Sequence, residues 1–325
     1  MVPAFCHLVC QSVDDKATFH LPSRVWQGYQ EGQHVSGWRL RLVFAADAED
    51  AVMALLPALP IGAMAQLRRQ QPLLGLELSL TEAPDEGLLQ QVRAVPQLEA
   101  LLLAPGATLP LLNRPGLLVM DMDSTAIEIE CIDELAAAAG VGAEVAAVTE
   151  QAMQGQLDFE QSLRARVGKL KGADCKIIAD LCARLPLSPG LTSMIDELQQ
   201  HHWRTVVASG GFTPFVEHLK QRLSLDAAFA NELVLQDGKF MGEVRGQVVD
   251  AAFKAATVGD CARKWQIADG QKVAIGDGAN DIPMVTAADL GVAYHAKPKL
   301  AAAADAKISQ LGLQVLPFFL QVAAG

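Results

Sequence analysis

The sequence predicts an α/β protein, a parallel sheet flanked by helices and interrupted by a helical insertion, preceded by a small α+β domain. Three observations carry that reading. Apolar runs at residues 117–120, 205–208 and 273–276 each lead straight into a polar or glycine-rich turn followed by a helical pattern. Between the first two runs, residues 132–188 are Ala-, Leu- and Lys-rich at helical spacing, with no strand signal. The first hundred residues have a different rhythm, and the Pro- and Gly-containing stretch 105–116 after them reads as a linker.

Within the N-terminal segment, residues 38–44 alternate apolar and polar, as a half-buried strand does, and 48–59 have helical spacing. Residues 63–69 and 73–80 read as strands, 85–98 as a helix and 100–103 as a closing strand. That order, strand-helix-strand-strand-helix-strand, suits a ferredoxin-like or ACT-like sandwich. No motif in it carries chemistry. Further on, Asp237-Gly238 between two apolar-alternating runs in 229–249 predicts a β-hairpin. The expected division is therefore an N-terminal domain over 1–110 and a second over 111–325. The insertion at 132–188 is a lid above the loops at the strand ends.

Composition narrows the function. The 325 residues are 51% hydrophobic and 19% charged, which is globular composition. A net charge of -11 argues against general nucleic-acid binding, because no diffuse basic field exists. An anionic substrate would have to meet a few local cations. The 6 cysteines (Cys6, Cys10, Cys131, Cys175, Cys182, Cys261) lack paired metal-site spacing and read as free thiols of a reducing compartment. The start, Met1-Val2-Pro3-Ala4-Phe5, lacks the regions of a signal peptide, and Pro105, Pro110 and Pro115 break the most apolar region. A cytoplasmic protein that does not span a membrane is expected.

The chemistry sits at the strand ends. Asp121 and Asp123 follow the first apolar run two residues apart, so on an extended chain both carboxylates face one small volume. A divalent cation or a shared proton would justify that crowding; a plain polar turn is the alternative. After the second run comes Ser209-Gly210-Gly211-Phe212-Thr213-Pro214, either an ordinary strand-to-helix turn or a phosphate cradle of N–H groups with a serine hydroxyl. After the third comes Gly276-Asp277-Gly278-Ala279-Asn280-Asp281, whose oxygen donors suit Mg²⁺, although Asp281 could simply cap a helix. Lys254 is an ordinary surface charge unless an acidic site handling phosphate needs a cation.

Taken in order, Asp-x-Asp-Ser-Thr, Ser-Gly-Gly, Lys and Gly-Asp-Gly-Ala-Asn-Asp resemble the haloacid dehalogenase superfamily of phosphatases. Within it, Asp121 to Thr125 with Glu130, Asp133-Glu134, Ser209 to Phe212 and Gly276 to Asp281 are similar to the phosphoserine phosphatase family. The resemblance runs from Leu117 to the C-terminus and includes cap segments around Met153 and from Phe159 to Arg166; the N-terminal segment lies outside it. It implies a Rossmann-like core, a helical cap and Mg²⁺-dependent hydrolysis of O-phospho-L-serine, the last step of phosphorylated serine biosynthesis. By resemblance, Asp121 is the nucleophile and Asp123 the proton carrier. Mg²⁺ is held by the side chains of Asp121 and Asp277 and the main-chain carbonyl of Asp123. Ser209, Gly210, Lys254 and Asn280 bind the phosphoryl group, and Asp281 orients Lys254 or completes the outer metal shell. Glu130 meets the substrate ammonium, Arg166 its carboxylate, and Met153 and Phe159 form an apolar wall. The rival expectations are a phosphotransferase acting on another hydroxy amino acid, and an amino-acid sensor working through the N-terminal domain. That domain could equally serve a homodimer.

Overall fold

The computed structural model describes residues 4–13, 16–21, 24–33 and 35–323; the reading of the first three residues lies outside them. The N-terminal sheet contains Val9–Val13 (β1), Lys16–Leu21 (β2), Arg24–Gly28 (β3), Trp38–Phe44 (β4), Ile61–Leu67 (β5), Leu74–Leu80 (β6) and Leu98–Leu103 (β7). Its helices are Glu49–Leu55 (α1) and Glu86–Arg93 (α2). The order β1-β2-β3-β5-β6-β4-β7 contains the predicted ferredoxin-like set, β5-β6-β4-β7, extended by three strands the sequence reading did not anticipate. Helix α2 ends earlier than expected, because Pro96 follows and Gln97 adopts a left-handed φ of 57°.

The second sheet holds Leu117–Met120 (β8), Arg204–Phe212 (β9), Ala227–Gln236 (β10), Lys239–Arg245 (β11), Lys272–Gly276 (β12), Leu290–Tyr294 (β13) and Ala306–Ile308 (β14). Their order is β11-β10-β9-β8-β12-β13-β14, parallel except for the β10–β11 hairpin. The three predicted strands β9, β8 and β12 lie side by side at its centre, so their C-terminal ends open onto one space. The insertion is helical as expected: Cys131–Ala138 (α3), Gly142–Met153 (α4), Phe159–Lys169 (α5) and Lys176–Ala183 (α6). Leu191–Gln200 (α7), Thr213–Leu223 (α8), Ala251–Lys264 (α9), Ile282–Thr286 (α10), Pro298–Ala303 (α11) and Leu316–Phe319 (α12) complete the chain.

The predicted hairpin turns at Asp237-Gly238, with φ of 51° and 76°, the left-handed pair a tight two-residue turn requires. Its far end is tied to the insertion by Gly172 N–H to Phe240 O (2.8 Å), Phe240 N–H to Ala173 O (3.1 Å) and Cys175 N–H to Gly238 O (2.8 Å).

Residues 105–116 are not a free linker. Leu109 and Leu112 are buried, Leu112 N–H donates to Gln321 O (2.7 Å), and Trp203 Nε1 donates to Leu112 O (3.0 Å). The face of β4 that carries arginines is covered too. Buried Arg41 donates from Nε to Glu77 (2.6 Å) and from Nη1 to the carbonyls of Phe318 (2.7 Å) and Leu320 (2.6 Å). Arg69 reaches the carbonyls of Pro317 (2.6 Å) and Leu320 (2.7 Å) and pairs with Glu31 (2.6 Å). Alternation in β4 therefore does not mean a solvated polar face; the C-terminal segment fills that side. Five cysteines, Cys6, Cys131, Cys175, Cys182 and Cys261, are free thiols, and the Cys10 side chain lies outside the described ones. Among the described residues no helix is long and apolar enough to cross a membrane.

Candidate active site

Strand β8 delivers Asp121 to the floor of a cavity of about 250 Å³. Asp121 Oδ1 accepts from the Met122 N–H at 2.7 Å, and Oδ2 lies 2.7 Å from Lys254 Nζ. Lys254 stands in α9, whose start is fixed by Asp250 accepting from Phe253 N–H (2.8 Å). Far from being a surface charge, Lys254 is 1% exposed and bridges Asp121 to Asp281 Oδ1 at 2.9 Å. Burial works against its ammonium, but Asp121 and Asp281 outweigh that and hold it protonated above the usual lysine range. Burial lifts the Asp121 carboxyl well above its usual range, with Lys254 opposing.

Asp281 is fully buried and also accepts from the N–H groups of Asp277 (3.2 Å) and Gly278 (3.1 Å). A Cβ on Gly276 would lie 2.5 Å from this carboxylate, so only glycine lets it sit against β12. Oxygens of Asp121, Asp277 and Asp281 lie within 4.8 Å of one another, a hard oxygen set that fits a divalent cation of the Mg²⁺ class. Burial first, then Asp281, pushes Asp277 up to about 6. Thr125 Oγ1 faces Asp277 at 3.4 Å.

The Asp123 carboxylate stands apart from that cluster. Its Oδ1 accepts from the Cys131 N–H at 3.1 Å, and burial followed by the Glu130 charge pushes it up to about 7. A Cβ on Gly211 would meet Asp123 Oδ2 at 2.8 Å, so the glycine makes room for this carboxyl. Ser209-Gly210-Gly211 is not a turn, as the sequence suggested, but the extended end of β9; Pro214 does fall in the first turn of α8. Ser209 is fully buried beneath the cavity, its Oγ accepting from Gly211 N–H at 2.9 Å.

Helix α5 supplies the roof. Asp158 and Gln161 form a capping box that sets its start. Phe159, Leu163 and Arg166 then fall at i, i+4 and i+7, on one face, and all three line the cavity with Glu130, Ile132 and Phe212. Glu130 stands at the head of α3 and accepts from Ser124 Oγ at 2.8 Å. Burial lowers Arg166, with Asp133, Glu130 and Asp123 opposing.

Of the predicted residues, Asp121, Asp123, Glu130, Phe159, Arg166, Gly210, Lys254, Asp277 and Asn280 line one cavity, with Ser209 and Asp281 directly behind it. Met153 does not line it. It ends α4 and is 79% exposed, so Leu163, Ile132 and Phe212 join Phe159 as the apolar wall instead. Sequence reasoning missed Leu163, which its spacing from Phe159 could have indicated. It also missed Lys297 on the cavity rim and buried Asn231 behind the glycines, for which no local signal exists.

A family model of haloacid dehalogenase-like hydrolases matches residues 118–286, and the chain belongs to that family. The phosphoserine phosphatase of Haemophilus influenzae is 55% identical over 191 residues, 59% of this chain and 61% of that protein. The chain thus spans about three-fifths of that relative's length in the match. The unliganded crystal structure of a probable phosphoserine phosphatase from Vibrio cholerae superposes with a TM-score of 0.75 at 41% identity, covering 89% of this chain and 88% of that one. A phosphoserine phosphatase solved as a phospho-aspartyl intermediate analogue gives 0.60 at 39% identity, over 64% of this chain and 99% of that one.

Proposed function

We propose that the protein hydrolyses O-phospho-L-serine to L-serine and inorganic phosphate through an aspartyl-phosphate. The observation that carries this reading is the meeting, in one small cavity, of the Asp121–Lys254 pair, backed by Asp281, with Glu130 and Arg166 of the cap region. Similarity to phosphoserine phosphatases, one of them trapped as a phospho-aspartyl analogue, supports it.

Asp121 attacks phosphorus with a carboxylate aimed by the Met122 N–H on Oδ1 and by Lys254 on Oδ2, and the phosphorus–oxygen bond to the seryl group breaks. The Asp123 carboxyl, held near half-protonation at neutrality, donates its proton to the departing seryl oxygen. It then takes a proton from the water that attacks phospho-Asp121, which releases phosphate. The Ser209 hydroxyl, the Gly210 N–H, Lys254 and Asn280 bind the phosphoryl oxygens. Glu130 meets the substrate ammonium, and the planar fork of Arg166 its carboxylate. Phe159 and Leu163 exclude water on closure. The side chains of Asp121 and Asp277 with the main-chain carbonyl of Asp123 would hold Mg²⁺, which supplies neutralisation of charge between nucleophile and phosphate. Asp281 keeps Lys254 in place from behind.

Release of phosphate from O-phospho-L-serine, measured with Mg²⁺ and again with excess EDTA, tests the reading. Turnover that chelation abolishes is expected. No turnover with Mg²⁺ present, or turnover untouched by chelation, overturns it.

A further inference from the structure

We infer that Asn231 is the positioning residue of the Ser209-Gly210-Gly211 segment, setting the direction of its peptide groups and so the hydrogen-bond role of the Ser209 hydroxyl. The inference rests on the phosphoryl-binding role proposed above for that segment.

Asn231 lies in β10 and is fully buried. Its Nδ2 donates to the Gly210 carbonyl at 2.7 Å and to the Gly211 carbonyl at 3.3 Å, while Oδ1 accepts from the Val249 N–H at 2.9 Å. Its own carbonyl accepts from Thr213 Oγ1 at 3.1 Å, just beyond the glycines in the chain. One amide thus grips both glycine carbonyls.

The consequence follows from peptide geometry. In a trans peptide the C=O and the next N–H point in opposite directions. Holding the Gly210 carbonyl toward Asn231 therefore turns the Gly211 N–H the other way, where it donates to Ser209 Oγ at 2.9 Å. With an N–H given to its oxygen, the hydroxyl keeps its proton to donate, the polarity an anionic oxygen requires. Two adjacent glycines have no side chains to hold these peptides, and the β9–β10 pairing is irregular here, shifting register between Phe229 and Asn231. The side chain of Asn231 does what a regular ladder would otherwise do.

The variant Asn231→Asp keeps an acceptor for Val249 and removes both donors to the glycines. Competitive inhibition by inorganic phosphate and by L-serine is to be measured on wild type, Asn231→Asp, Ser209→Ala and the double variant. The expected result is an inhibition constant for phosphate raised about tenfold, with that for L-serine unchanged. In the Ser209→Ala background the added effect should shrink below about twofold, because both changes act on one bond. Equal weakening of both inhibitors, or effects of Asn231→Asp and Ser209→Ala that simply multiply, overturns the inference. If Asn231→Asp does not fold, Thr213→Val, which frees the Asn231 main chain, carries the same test; an unaltered phosphate constant there counts against the inference. Failure of wild type to turn over phosphoserine would instead strike the proposed function. A phosphate effect of Ser209→Ala without one of Asn231→Asp strikes only this inference.

Discussion

Asp123 shows how two like residues two positions apart become different tools. Asp121 gains a cation at 2.7 Å, whereas Asp123 is bonded by Cys131 and faces the negative charge of Glu130, with Lys254 the weaker influence. Its folded value of about 7 stands above the ordinary 3.8, so the folded metal-free chain keeps a proton that the unfolded chain gives up. The stabilisation from that group is full below the ordinary carboxylate value and is lost as pH rises toward about 7. Urea unfolding of the chelator-treated protein at acid and alkaline pH checks the sign. Wild type should lose stability relative to Asp123→Asn as pH rises; a constant difference contradicts it. The sequence made the pair visible, and the resemblance implied unequal roles for it, but the neighbours that set the two apart come from the fold. Asn231 was invisible for a plainer reason: a lone asparagine in an apolar strand acquires meaning only from the glycines the fold brings beside it.

At the level of elements, the strand-to-turn rhythm was legible because each strand end combines an apolar run with residues that cannot continue a buried strand. The lid was legible as a helical stretch, yet its attachment was not. Backbone bonds join the 172–175 segment to the β10–β11 hairpin, and main-chain partners leave no trace in side-chain patterns. Gly242 tests this junction. It has a φ of 76°, and a Cβ there would meet Lys171 Cβ at 2.9 Å. Gly242→Ala is expected to cost about 1–3 kcal/mol in denaturant unfolding and to raise KM for phosphoserine as the lid loosens. Unchanged stability and KM would mean the junction does not hold the lid. The extra strands β13 and β14 left weaker signals: β14 has only three residues, and β13, though as long as β12, does not end in an Asp- or Gly-rich cluster of the kind that marks β8 and β12.

For the molecule as a whole, the division into an N-terminal domain and a phosphatase domain stays our proposal, with the first read as a fixed platform. The support is the buried junction: Arg41 and Arg69 donate to the carbonyls of Pro317, Phe318 and Leu320, and Glu99 accepts from the N–H groups of Ser309 (2.8 Å), Gln310 (2.5 Å) and Leu311 (2.9 Å). A Cβ on Gly75 would lie 2.6 Å from the Phe318 ring, so β6 of the N-terminal sheet meets helix α12 without a gap. Arg41→Met removes the closer of the two cations on Glu77, leaving Arg39 at 3.5 Å, and strands the Phe318 carbonyl, while Leu320 keeps Arg69; it should lower stability by about 1–3 kcal/mol while leaving unfolding a single transition. Two separated calorimetric transitions in wild type would contradict a fixed platform. This junction could not be read from sequence, because an alternating strand looks the same whether its polar side meets water or a second domain.

The account turns on Asp121 carrying the phosphoryl group. The most direct measurement is acid quench during turnover of phosphoserine, followed by peptide mapping of the trapped phosphate. The prediction is an acyl-phosphate on Asp121 alone, absent from Asp121→Asn, which keeps its fold and loses turnover. Rapid turnover with no trapped phosphate, or phosphate on another residue, would contradict the account.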